Sequence, residues 1–233
     1  GDVYHVTNFG ISATTLLTKG NKPYIKQAAY QEALNSDPDL VFIMLGTNDS
    51  KLVNRVYMDG FENDYREMVR AFRNLPSHPR VVLLTPITAF VTDSTKIWDK
   101  TITTQIIPHI QNLALAENLE VLNMHSLFMD KEDLLKDKIH PNAAGAGIIA
   151  RRIFDLVSQK RDTTFDVFKQ IGQPLKQSNF YGYACADFNF DGRACKIVKP
   201  RWSAPHHPWV WRARFWGHEP QADIALLERG FHI

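Results

Sequence analysis

The sequence has few of the residues that mark specialised chain classes. Cysteine occurs only twice in 233 residues, at Cys185 and Cys195, so no disulfide framework or cysteine-rich metal site organises the chain. Between the two lies Asp191-Gly192, a two-residue hairpin signal. A hairpin there sets Phe188, not Cys185, opposite Cys195, and two free thiols are expected. No apolar run reaches the roughly 20 residues that a membrane-spanning helix needs. A dominant charge is also missing: 27 Lys and Arg stand against 25 Asp and Glu, for a net charge of +2. No basic stripe follows any segment, so no nucleic-acid partner is expected. No signal-peptide pattern is visible in a chain that begins at Gly1, and no internal repeat or low-complexity tract occurs. What is present is 44% hydrophobic and 22% charged, the composition of a globular protein with a sizeable core.

Up to about Lys160, short β-branched runs alternate with amphipathic stretches, the pattern of an α/β sheet with helices on both faces. Strands are expected at Tyr4 to Phe9, Leu40 to Leu45, Val81 to Leu84 and Leu119 to Leu122. The run at Leu40 reads as a central parallel strand buried on both sides. Helices are expected at Tyr24 to Leu34, Phe61 to Phe72, Thr101 to Ala116 and Ala143 to Val157. Phe61, Tyr65, Met68 and Phe72 share one stripe of their helix, and Pro108 should kink or divide its own. Residues 159–178 read as a linker with a short helix near Phe165 to Ile171, separating a domain at 1–158 from one at 179–233. A hairpin over Tyr181 to Val198, a helix over Pro220 to Arg229 and a strand start at Gly230 to Ile233 complete the second part. The chain is expected to stop in mid-strand.

Two loops carry candidate chemistry. Gly46-Thr47-Asn48-Asp49 follows the Leu40 strand, at the strand end where ligands bind in open α/β sheets. An Asn there can aim its amide at a developing oxyanion; the plainer alternative is that Asn48 or Asp49 caps a turn. Asp137-Lys138-Ile139-His140-Pro141 precedes the closing helix, with Pro141 suited to its first turn. Acyl transfer through serine needs an imidazole base and a carboxylate that holds its tautomer. Three-residue spacing brings the Asp137 carboxylate to the nearer ring nitrogen of His140 and leaves the other to face a nucleophile. An unrelated surface histidine is the alternative reading.

In order, spacing and context these segments resemble the SGNH (GDSL-like) hydrolases. The resemblance rests on Asn8-Phe9-Gly10 for the second family block, Gly46-Thr47-Asn48-Asp49 for the third and Asp137-Lys138-Ile139-His140 for the fifth. It implies a flavodoxin-like three-layer αβα sandwich with a parallel sheet. It also implies oxyanion donors at the Gly10 N–H and the Asn48 side chain, His140 as base, and Asp137 as its orienter. Asn8 to Leu17 and Val41 to Lys51 look like bacterial members often assigned to carbohydrate deacetylation. The expected activity is therefore a serine-dependent ester hydrolase, without a cofactor or metal, acting on a small-molecule or glycan ester. Export from a bacterial cell is an expectation from the family's carbohydrate habits.

The sequence departs from the family at its first block, the Gly-Asp-Ser that carries the nucleophile. Gly1-Asp2 is followed by Val3. Ser50 lies too close to Asn48 to share its site, Ser94 sits in a polar loop, and Ser12 belongs to a turn. The nucleophile is thus expected upstream of Gly1. A non-catalytic glycan-binding protein on the same scaffold is the alternative. Residues 179–233, with Cys195 to Pro200 and Pro208 to Gly217, resemble the opening of an α/β-hydrolase domain, in which the Arg212 to Trp216 segment would supply an oxyanion N–H. Asp187 to Gly192 begins like a calcium loop, but Val198 stands where a carboxylate is needed, and a hairpin turn is the better reading. His206-His207 and His218-Glu219 lack metal-ligand spacing. Trp202, Trp209, Trp211 and Trp216 could stack on sugars; packing in a core or interface is the commoner use of such a cluster.

Overall fold

The computed structural model describes residues 4–233. Three parallel strands, β1 (Leu40–Ile43), β2 (Arg80–Leu84) and β3 (Glu120–Leu122), lie side by side in that order. Val41 stands opposite Val81, and Leu83 opposite Val121. Strand side chains alternate between faces, so β2 feeds two cores. Val81 and Leu83 pack with α1 (Ala28–Asn35), α3 (Phe61–Arg73) and α5 (Ile107–Ala116). Val82 and Leu84 pack on the other face with Leu122, Phe128 and the apolar side of α6 (Ala143–Ser158). Two short helices, α2 (Leu52–Arg55) and α4 (Asp99–Thr101), lie in the intervening connections. The result is the three-layer sandwich expected, and Phe61, Tyr65, Met68 and Phe72 are all buried on one stripe of α3.

Two expectations need correction. Tyr4 to Phe9 is not a strand, and Val6 is 85% exposed. A strand exists only where its N–H and C=O groups find a partner ladder, and this segment has none among the described residues. For the same reason β1 is an edge strand among the described residues: it pairs there with β2 alone, and its first three residues are only half-buried. Pro108 acts as expected. The helical stretch is divided into α4, a π-helical turn at Ile102–Ile106, and α5 with Pro108 in its first turn, where the missing N–H has no role.

The remaining chain builds a small antiparallel sheet, β4 (Lys176–Phe180), β5 (Tyr183–Phe190) and β6 (Arg193–Val198), in that order. The segment expected as a linker carries α7 (Val167–Ile171) and the start of β4. In the β5–β6 hairpin Phe188 faces Cys195, and both cysteines are free. Asp191 and Gly192 have φ of 50° and 73°, the left-handed pair such a tight turn requires. Helix α8 (Gln221–Leu227) packs on this sheet with Ile233, which exchanges two backbone hydrogen bonds with Val198. Core packing holds for Trp202, whose indole donates to Glu120. It fails for Trp209 and Trp211, 72% and 80% exposed on either side of Val210, which turns inward. The two sheets are joined through Arg201, which donates to Leu119 O and Gly182 O, and through Glu228, which accepts from the Asn123 N–H and pairs with Arg152. Among the described residues no helix is long and apolar enough to cross a membrane.

Candidate active site

Phe9, Leu45 and Ile139 all rest on the same core cluster. Each lies within three residues of a candidate site residue, so the packing anchors the Gly10, Asn48 and His140 loops on one hydrophobic base. Gly46 is what lets the second loop leave β1. Its φ is 119°, and a Cβ there would lie 2.8 Å from the Ile106 side chain, so both conformation and space demand glycine. The chain then turns through a 3-10 segment, Asn48–Ser50. Asn48 Nδ2 donates to Thr14 O at 3.1 Å, and Asn48 O accepts from Asn54.

Asp49, fully buried beside Asn48, ties this loop to the preceding one. Its two carboxylate oxygens accept from the N–H groups of Leu16 and Leu17 at 3.1 and 2.8 Å. Burial pushes its pKa up to about 6, against the pull of those donors. Asp64 accepts from the Thr18 N–H, and the Tyr24 hydroxyl donates to Phe9 O at 2.9 Å. Asp49 is legible in the sequence as a turn cap and as the end of the Gly46-Thr47-Asn48-Asp49 block, whereas Tyr24 and Asp64 are not. The last two act through the backbone and carry no local signal. Gly10 donates its N–H to Asn8 Oδ1 at 2.8 Å, so both expected oxyanion donors, Gly10 and Asn48, are engaged within the chain.

Asp137 and His140 meet in a compact, exposed turn. Asp137 Oδ1 accepts from the backbone N–H groups of Ile139 and His140, while Oδ2 lies 2.8 Å from His140 Nδ1. Lys138 between them has φ of 68°, a strained position for a residue with a side chain. The His140 N–H and ring hold the Asp137 carboxyl down at about 2, so it stays ionised at any ordinary pH and favours a proton on Nδ1. His140 Nε2 has no hydrogen-bond partner among the described residues, and the side chain is exposed. Pro141 does not start the helix as expected. It bridges to Leu135, and Asn142 caps α6 by accepting from the Gly145 N–H; the cap needs extended backbone, which the residues before the helix supply.

No serine hydroxyl hydrogen-bonds to His140 among the described residues. Ser50 is buried, donating to Thr47 O and accepting from the Trp98 N–H, whereas Ser12 and Ser94 are exposed. The described residues contain no group of three or more His, Cys, Asp or Glu placed to hold a metal ion. An aligned imidazole–carboxylate pair of this kind can take a proton from a hydroxyl.

Comparison with known proteins gives this geometry a context. The model of the GDSL-like Lipase/Acylhydrolase family matches residues 1–148. An acetylxylan esterase from Xylanibacter ruminicola is 40% identical over 171 residues, 66% of this chain and 35% of that protein. The chain spans about a third of that relative's length. Among solved structures, an acetyl xylan esterase, AlAXEase, overlays with a TM-score of 0.51 at 21% identity, covering 64% of this chain and 78% of that one. The overlay shows a shared α/β fold.

Proposed function

Because this chain belongs to the GDSL-like lipase/acylhydrolase family, we propose that it is part of a serine-dependent carboxylic-ester hydrolase that removes acetyl groups from a carbohydrate. The observation that carries the reading is the Asp137–His140 turn, with Nδ1 held at 2.8 Å by the carboxylate and Nε2 open to a nucleophile. In the proposed reaction a serine hydroxyl gives its proton to His140 Nε2 and attacks the ester carbonyl. Asp137 stabilises the imidazolium. Gly10 and Asn48, released from Asn8 and Thr14, donate to the oxyanion; losing one such donor costs about 3–4 kcal/mol in comparable sites. His140 then returns the proton to the leaving alcohol, and water repeats the cycle on the acetyl-enzyme. No step requires a metal or organic cofactor.

The nucleophile itself is proposed to lie on a strand that precedes Gly1. Two features support this. Among the described residues the outer edge of β1 is unpaired, and Tyr4 to Phe9, which has the composition of a strand, has no ladder partner. A strand between them would satisfy both and would end beside the Asn48 loop. The acetylxylan esterase relative makes acetylated xylan the first polymer to try.

The test is acetate release from acetylated xylan and p-nitrophenyl acetate by a protein extended upstream of Gly1, with and without His140→Ala. Loss of nearly all activity in the variant supports the reading. Unchanged activity in the variant overturns it. A folded, inactive parent that still retains acetylated xylan would favour a glycan-binding role.

A further inference from the structure

Another imidazole–carboxylate pair, with its histidine buried, lies at the carboxyl end of the sheet. His125, 7% exposed in the loop after β3, places Nε2 3.0 Å from Asp99 Oδ1 at the start of α4. The same Asp99 oxygen accepts from the Ala89 N–H at 2.9 Å. His125 is tied to the loop after β2 at both backbone groups. Its N–H donates to Thr85 Oγ1 at 3.1 Å, and its carbonyl accepts from Thr88 Oγ1 at 2.8 Å. Thr85, Ile87, Thr88 and Ala89 are all buried. The loop from Thr85 to Ala89 is therefore clamped between the ends of two strands and the first residue of α4.

The next residue in this loop reaches the candidate catalytic turn. The Phe90 N–H donates to Lys138 O at 3.0 Å. Among the described residues, this is the one hydrogen bond that reaches residues 136–140 from outside the local 132–142 segment. It lands on the residue with φ of 68°, between Asp137 and His140. A strained, solvent-exposed turn keeps one geometry only if its surroundings hold it. Ile139 supplies an apolar anchor on the core, but an apolar contact does not fix the rotation of the peptide that follows Lys138. A directed hydrogen bond does.

We infer that Asp99 and His125 are positioning residues, which hold the Ala89-Phe90 backbone so that Phe90 fixes the Lys138 carbonyl and with it the angle at which His140 presents Nε2. The inference rests on the esterase reading. Asp99 acts by accepting two hydrogen bonds at one oxygen, so an amide oxygen serves in its place. Misplacing a catalytic group by about 1 Å can cost around 100-fold in rate. Because the substrate is not touched, the loss falls on kcat and leaves KM nearly unchanged.

The experiment uses the extended, active protein with Asp99→Ala, Asp99→Asn, His125→Ala and, as a control of stability alone, Val69→Ala on the buried face of α3. The expected result is a 10- to 100-fold fall in kcat for Asp99→Ala, a smaller fall for His125→Ala, and recovery of most activity in Asp99→Asn. Amide exchange should become faster at Phe90 in Asp99→Ala but not in Val69→Ala. Full kcat in a folded Asp99→Ala protein would overturn the inference, as would an equal loss of kcat in Val69→Ala. His140→Ala is run beside them. If that variant stays active, the esterase reading fails first; if it is dead while Asp99→Ala is not, only the positioning role fails.

Discussion

Asp49 holds its whole carboxyl group inside the protein, where two backbone N–H groups favour the ionised form and the loss of water disfavours it. Burial prevails, and the group titrates at about 6 instead of 3.8. The sign of the consequence follows from proton linkage. Between these two values the unfolded chain has already lost the proton and the folded protein still keeps it. Asp49 therefore makes the fold less stable as pH rises through this window, and its effect is constant above pH 6 and below the unfolded value. The shift corresponds to roughly 3 kcal/mol at most. Asp49→Asn removes the titration and keeps an oxygen for Leu16 or Leu17. Urea midpoints measured at pH 5 and pH 7 should fall with pH more in the parent than in the variant; equal pH dependence would mean that the carboxyl is ionised throughout. Asp137 runs the other way. Its depressed pKa of about 2 means that its contribution is present above the unfolded value and lost only in strong acid, so it cannot be the group that limits activity between pH 5 and 7. The Asp137–His140 contact was legible at this scale because the residues lie three apart and the turn closes on itself. Asp99 and His125 were not, because they are 26 residues apart and meet only through tertiary packing.

Helix α6 begins three residues after His140, so the turn that carries the imidazole is also the lead-in to a helix. Asn142 caps it by accepting from the Gly145 N–H at 3.0 Å. Asn142→Ala should cost about 1 kcal/mol, seen as a lower urea midpoint, and should fray the first turn in amide exchange; an unchanged midpoint would show that other contacts hold the helix start. Gly46 governs the opposite loop. Gly46→Ala adds a Cβ at 2.8 Å from Ile106 Cγ2 and puts it on a φ of 119°, a conformation that costs on the order of 1–3 kcal/mol for a residue with a side chain. The expected outcome is a clear loss of thermal stability, with disturbed Leu45 and Asn48 resonances; a neutral substitution would contradict the close packing at this turn. Most elements were readable from periodicity, since strands and helices that bury one face must repeat at 2 or 3.6 residues. Tyr4 to Phe9 had the composition of a strand and not the partner. Lys176 to Phe180 had the partner and not the composition: four of its five residues are exposed, and register with β5 makes it a strand. Pairing is a property of two segments, and a single run of residues does not contain it.

The two sheets behave as one molecule through a small number of buried polar groups. Arg152 on α6 and Glu228 at the end of α8 are each 6% exposed, and their ion pair joins the closing helix of the first part to the last helix of the second. Glu228 also accepts from the Asn123 N–H at 2.6 Å, at the carboxyl end of β3. One Arg152 nitrogen, Nη1, already lacks a partner among the described residues. Glu228→Ala then strands a whole buried guanidinium, a change that costs about 3–5 kcal/mol when one member of a buried pair is removed. Glu228→Ala combined with Arg152→Met should recover much of this, since the uncompensated charge goes while the Asn123 N–H remains without its acceptor. The position of the tryptophans makes coupling measurable as well as stability. Four of the five tryptophans, Trp202, Trp209, Trp211 and Trp216, belong to the C-terminal part and only Trp98 to the first, whereas the longest helices, α3 and α6, belong to the first. Urea unfolding followed by tryptophan fluorescence and by far-ultraviolet circular dichroism should coincide in the parent, as one cooperative transition requires. In Glu228→Ala the fluorescence transition should move to lower urea ahead of the helical signal, because the small sheet loses its strongest tie before the three-layer sandwich loses its core. Two transitions that remain coincident and merely shift together would mean that Arg201 and Trp202, lying along β3, are enough to join the parts without the ion pair.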